Sequence, residues 1–245
     1  MLNCDVKNIM FLDIETVPST EKFEELSSEL VHLWTEKYNV LRKRLPEKYD
    51  ETTSAEEAYV SSAGIYSEFG KIICISVGFV HESDSKTTFR VKSFYGEDEK
   101  QILLDFSALI LKFCTTRNHF LCGHNIKEFD VPYICRRMLI NGLTLPRFLQ
   151  ISGKKPWETP LIDTLELWKF GDIKSFAPLK LLTAVLGIPS PKNDIDGSQV
   201  AEVFYGEKDI ERIVTYCQKD VVATAQVFLR LNDLQSISEE NIFYL

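Results

Sequence analysis

The segment NIMFLDIET, residues 8–16, constrains this chain more than any other stretch. Residues 8–14 are rich in β-branched, aromatic and long aliphatic side chains and lack turn formers, which predicts a buried strand. Strand side chains alternate, so Asp13 and Glu15 at its end share one face, and Leu12 and Ile14 take the other. Two carboxylates on one face of an apolar strand repel each other and lose hydration unless something positive lies between them. A divalent cation meets that need, and so does a strand end that opens into solvent. D-x-E alone does not choose. The chain carries a second copy, Asp209-Ile210-Glu211, at a predicted helix start, where the acids suit the helix dipole and need nothing else.

The residues after this strand narrow the architecture. Residues 19–69 break the pattern, with 6 basic against 11 acidic residues. Phe23, Leu26, Leu30, Leu33 and Trp34 fall in a helical rhythm, and PEKYDETTSAEEAY is polar and turn-rich. We read this as an acidic helical insertion with a mobile tip, inside a single domain covering 1–245. KIICISVGFV (71–80) and KTTFRVKSFY (86–95) flank the polar turn HESDS and predict an antiparallel hairpin. Alternation comes next: a helix over 97–113, a strand over 119–125, a helix over 128–140 with Pro132 in its first turn, and a strand over 161–164. A helix over 178–189 ends at Gly187 and Pro189, and a last one spans about 208–231. A hairpin followed by strand–helix alternation argues for one α/β layer fold, a mixed central sheet flanked by helices.

Two further motifs stand downstream of Asp13-Ile14-Glu15-Thr16. GHNIKEFDVPYI holds Asn125-x-x-x-Phe129-Asp130 where a strand hands over to a helix, a position where Asp also serves as a helix cap. RIVTYCQKDVVATAQVF holds Tyr216 and Asp220 one turn apart, on the edge of an apolar stripe running from Ile210 to Phe228. Tyr205 and Asp209 repeat that spacing, but Gly206 and a helix start lie between them. Each motif arises by chance in roughly 0.05–0.5 of chains of this length. All three in this order and context are far rarer.

Together these residues resemble the three exonuclease motifs of the DEDD (DnaQ-like) 3′–5′ exonucleases, in the DEDDy subgroup. The likeness is to the proofreading exonuclease domain of family-B DNA polymerases and to stand-alone predicted exonucleases related to it. It runs from about residue 8 to 231 and includes GKIICISVG, PWETPLIDTLELWKFG and GIPSPKNDIDGSQV. The resemblance implies a ribonuclease H-like fold, two Mg²⁺ or Mn²⁺ ions, and removal of nucleotides from a 3′ end. It implies that Asp13, Glu15, Asp130 and Asp220 are the metal carboxylates, with Asp13 bridging both ions, Glu15 and Asp220 on the nucleophile side, and Asp130 on the other. Tyr216 would orient the attacking water. A free phenol, with a pKa of about 10, needs a local shift to act as a base. Thr16, Val17, Asn125 and Phe129 would hold the terminal nucleotide.

Other features are weighed against plainer readings. Asp163 is a fifth carboxylate or, more simply, the cap of the helix directly after it. His124 has no metal-pair spacing and reads as a packing residue. Arg136-Arg137 and Gly153-Lys154-Lys155 contact phosphates or are solvated charge. The six cysteines form no C-x-x-C pair and sit mostly in apolar stretches, which suits free thiols in a reducing cytoplasm. Nothing approaches the roughly 18–20 apolar residues of a membrane span, and the N-terminus lacks the basic head of a signal peptide.

Net charge bounds the substrate. With 28 Lys+Arg against 36 Asp+Glu, the formal charge is −8, which disfavours tight non-specific binding of duplex through a basic face. Residues 127–192 hold 10 basic against 6 acidic residues and form the one basic stretch. The leading expectation is a metal-dependent exonuclease acting on single-stranded DNA. The motifs do not separate this from an exoribonuclease, and a non-catalytic nucleic-acid-binding scaffold of the same fold is the alternative from another class.

Overall fold

The computed structural model describes residues 4–83, 86–172, 174–189 and 195–245. Its first strand, β1, runs Ile9–Pro18, so it carries both acids as expected but continues four residues past the predicted end at 14. The insertion contributes α1 (Ser28–Arg44) and α2 (Ala55–Ser62). The hairpin is formed by β2 (Gly70–Ser83) and β3 (Lys86–Tyr95), antiparallel over ten paired positions. Its turn at 84–85 lies outside the described residues, as do 190–194 of GIPSPKNDIDGSQV. Next come α3 (Glu99–Phe113), β4 (Phe120–Gly123), α4 (Asp130–Ile140), β5 (Leu161–Asp163) and α5 (Thr164–Lys169). The chain then forms α6 (Leu179–Val185), the single turn α7 (Val200–Glu202), α8 (Ile210–Leu231) and β6 (Ile242–Tyr244). The predicted helices are present with ends trimmed by one to four residues, and the three-residue β6 is an addition to the expected strands.

The strands form one sheet in the order β5-β4-β1-β2-β3-β6. β1 pairs antiparallel with β2 and parallel with β4; β4–β5 and β3–β6 are parallel, so the sheet is mixed. The period-2 alternation of β1 sorts its side chains into two cores. Met10, Leu12 and Ile14 join Ile102, Phe106, Val131 and Ile134 of α3 and α4. Ile9 and Phe11 face Val221, Ala225 and Phe228 of α8. Asp13 and Glu15 continue the α8 side, just beyond the positions at which β1 pairs with β4. Gly78 lets α8 settle there: a Cβ at that position would lie 2.3 Å from the Phe89 ring and 2.8 Å from Val221.

The insertion has its own small core of Trp34, Tyr38, Tyr49, Tyr59 and Phe69. The polar stretch expected to be a mobile tip is folded. Tyr49 is buried, Tyr38 donates to the Thr53 carbonyl, and Ser54 caps α2 in a reciprocal box with Glu57. Two buried bonds fasten the insertion's exit to α4: the Tyr133 hydroxyl donates to Gly64 O (2.7 Å), and Arg137 Nη1 donates to Ser67 O (2.9 Å). Arg137 also grips Glu99 through two bonds of 2.8 and 2.6 Å, and Glu99 accepts from Ile72 N at 2.7 Å. Arg137 is therefore neither a phosphate ligand nor solvated charge; it is a buried tie, while Arg136, Lys154 and Lys155 stay on the surface.

Arg137→Ala should leave the buried Glu99 carboxyl without its main partner, at a cost of about 3–5 kcal/mol. Urea unfolding at neutral pH measures it. A loss below about 1 kcal/mol would show that the pair does not hold the insertion's exit.

Candidate active site

Three elements deliver the acids. β1 supplies Asp13 and Glu15, α4 opens on Asp130, and α8 carries Tyr216 and Asp220 on consecutive turns. Glu15 and Asp130 are 7 and 3 % exposed, whereas Asp13 and Asp220 keep part of their surface open. Beyond Glu15 the pairing of β1 with β2 slips, Glu15 facing Cys74 but Thr16 facing Ile72, so that Ile73 has no opposite number. A bulge of this kind re-aims side chains beside a functional site.

Burial pushes the Asp13 carboxyl well above the ordinary carboxylate range, and the charges of Asp130 and Asp220 push it further. Glu15 is raised by burial and then by Asp13 and Asp220. Asp130 is raised to about 7, chiefly by burial; hydrogen bonds from its own N–H and that of Ile14 pull the other way. The four carboxylates thus lie within electrostatic reach of one another. The groups acting most strongly on Asp13 and Glu15 include no lysine or arginine. Among the described residues, Asp13, Glu15 and Cys217 bring potential ligand atoms within 4.8 Å of one another.

Cys217 is a residue that sequence patterning hides within an apolar stripe. It is fully buried, and its thiol donates to Asp13 Oδ2 at 3.3 Å. Its spacing of three from Asp220 puts both on one side of α8, and that is the one signal in the sequence that marks it. Tyr216 is hydrogen-bonded to the Asp220 carboxylate, and burial followed by the charges of Asp220, Glu15 and Asp13 raises its phenol far beyond the usual range. The phenol stays protonated, so it cannot serve as a base.

The strand-to-helix turn behind Asp130 is built around a left-handed residue, Asn125 at φ 64°. Asp163 holds it. Its carboxylate accepts from the backbone N–H groups of Asn125 (2.9 Å), Lys127 (3.2 Å) and Leu165 (3.0 Å), so it caps α5 and fixes the turn. His124 is a packing residue, its ring nitrogens bonded to Thr164 Oγ1 at 3.0 Å and the Ala177 carbonyl at 2.9 Å, and burial lowers its pKa.

Of the residues expected to hold a nucleotide, Thr16 and Phe129 line a groove of about 330 Å³ beside Glu15. Asn125 sits half-buried on the turn. Val17 departs from the expectation: it is fully buried, its side chain packed with Ile73, Val200 and Ile213, and it does not line the groove. The second D-x-E and Y-x-x-x-D copies lie apart from the acids. Asp209 caps α8 by accepting from Arg212 N (3.2 Å), and the Tyr205 hydroxyl donates to Pro18 O (2.6 Å).

The site thus sits on a mixed α/β sheet, with acids from a central strand and two helices. The chain belongs to the family of predicted 3′–5′ exonucleases related to the exonuclease domain of PolB, whose profile matches residues 65–243. The matched segment contains Asp130, Tyr216 and Asp220, and begins after Asp13, Glu15 and nearly all of the insertion. The family B DNA polymerase from the hyperthermophilic archaeon Pyrobaculum calidifontis is similar in structure, with a TM-score of 0.51 at 15 % identity over 90 % of this chain and 24 % of the polymerase. This chain therefore spans about a quarter of that protein's length, and the fold is ribonuclease H-like. Comparison with curated proteins gives no match. No helix of the described residues is long and apolar enough to cross a membrane.

The raised carboxyls have a measurable consequence. Asp130 keeps its proton in the folded chain up to about pH 7, whereas an unfolded Asp releases it near pH 4. The folded chain then binds more protons, and this group's contribution to stability falls as pH rises from about 4 through 7. With chelator present, Asp130→Asn should gain on wild type between about pH 5 and pH 8, its Tm rising from near parity to several degrees higher. A Tm difference that does not change with pH contradicts the shift.

Proposed function

We propose that this chain is a metal-dependent 3′–5′ exonuclease that hydrolyses the terminal phosphodiester bonds of single-stranded DNA, with residues 1–245 acting as one exonuclease domain. The observation that supports it best is the gathering of four carboxylates around Asp13 and Glu15 of β1 without a basic side chain to neutralise those two. Hard oxygen donors of this charge suit Mg²⁺ or Mn²⁺. A pair of such ions, when bound, would supply a water of lowered pKa and positive charge to the scissile phosphate. Asp13, on the central strand, would be shared between the two positions, with Glu15 and Asp220 on one side and Asp130 on the other. Tyr216, bonded to the Asp220 carboxylate and held protonated, would orient the water by hydrogen bonding and would not take its proton. Phe129 offers a ring face, and Thr16 a hydroxyl, to the terminal nucleotide.

The choice of DNA is supported by the relationship to a polymerase exonuclease domain, and the choice of single strands by the net charge of −8. The cysteines of the described chain are all free thiols, which favours a reducing, cytoplasmic setting.

The test is a single-turnover reaction on 5′-labelled single-stranded DNA with Mg²⁺. Wild type should give a ladder shortened from the 3′ end. Asp13→Asn and Asp220→Asn should abolish it, and Asp209→Asn should cut nearly as wild type. Tyr216→Phe should slow the step roughly 10²-fold, about 2.7 kcal/mol of transition-state stabilisation. Preference for an RNA strand would move the assignment to an exoribonuclease. Shortening from the 5′ end, or full turnover by Asp13→Asn, contradicts it.

A further inference from the structure

We propose that the insertion between β1 and β2 is the outer wall of the subsite for the terminal nucleotide, and that this wall admits a single strand and turns away a duplex end. The proposal rests on the exonuclease reading and extends it to residues which no family match covers, since Lys48, Val60 and Ser61 precede the matched segment.

The groove beside Glu15 is lined by Thr16 of β1 and Phe129 before α4, by Lys48, Val60, Ser61 and Ile65 of the insertion, and at a third side by the 197–201 segment that leads into α7. Val60 and Ile65 are 48 and 51 % exposed, apolar side chains on a segment that carries 11 acidic residues. With Phe129 they give the groove apolar lining from two separate elements, and Thr16 and Ser61 add hydroxyls. That chemistry takes a nucleobase of any identity by stacking, with no hydrogen-bond code. Lys48 is the cation of this lining and suits a phosphate.

Size and charge set the strandedness. A groove of about 330 Å³ lies at the small end of ligand sites, with room for one nucleotide and not for a base pair. A complementary strand would also have to pass over the acidic insertion, where its phosphates are repelled. The wall is held in place before any ligand arrives. Tyr49 donates to Ser62 Oγ at 2.8 Å, and Tyr133 to Gly64 O at 2.7 Å. A preformed wall keeps the ordering cost of binding low.

The experiment compares wild type, V60S/I65S and S61W on a 5′-fluorescein single strand ending in a 3′ hydroxyl. Affinity is read by anisotropy with Ca²⁺, and cleavage by single turnover with Mg²⁺. In V60S/I65S, affinity and the half-saturating concentration should worsen about tenfold while the maximal rate holds within about twofold. S61W fills the groove and should lose binding and cleavage of the 3′ end, yet keep the rise in Tm with Mn²⁺, because the acids are untouched. Wild type should bind a blunt duplex at least about tenfold more weakly than the single strand. Wild-type affinity in V60S/I65S, undiminished cleavage by S61W, or equal binding of duplex overturns the wall while leaving the exonuclease standing. A wild-type protein that neither binds nor shortens any 3′-ended strand overturns both.

Discussion

Repulsion among carboxylates that the fold insists on burying organises this molecule. β1 is the central strand, apolar on both faces until Asp13 and Glu15, and there the α8 face turns acidic. The helices that cover the sheet add to the problem, since α4 begins on Asp130 and α8 brings Asp220. Ordinary proteins avoid such a concentration or pair it with Arg or Lys. Here the only buried ion pair with bidentate geometry among the described residues, Arg137–Glu99, lies elsewhere and serves the insertion. The native state holds its acids partly protonated or needs cations from outside, and that tension is the physical basis of a metal-dependent reading.

The remaining structure keeps this arrangement from relaxing. The bulge at Ile73, the left-handed Asn125 and the three N–H groups gathered by Asp163 fix the approach of β1 and α4 from either side. Gly78 lets α8 come down onto the sheet at the depth that brings Cys217 against Asp13. These are backbone devices, and they place the acids by rigid elements instead of by flexible loops.

That division explains how much of the molecule is legible in its residues alone. Period-2 and period-3.6 patterns mark the strands and long helices, because each buries a continuous apolar stripe, and D-I-E-T falls on a strand whose alternation puts both acids on one face. Structural context along α8 separates Tyr216 and Asp220 from their copy at 205 and 209. Long-range pairings are not legible. Arg137 looks like a surface cation because its partner lies 38 residues away, and the insertion's tip looks loose because Tyr49 and Tyr38 meet only after α1 and α2 have packed. Val17 looks like a ligand contact because it comes just after the acids in sequence, yet the side of the strand it shares with them is roofed there by α7 and α8. β6 is too short for any pattern.

The claim on which the rest stands is that the acids gather to hold cations, and the most direct measurement is anomalous scattering from crystals grown with Mn²⁺. The expected result is a peak within coordination distance of Asp13, Glu15 and Asp220, with Asp130 turned toward the same position. Well-ordered acids with no peak at millimolar Mn²⁺, or a peak held by other residues, would contradict it.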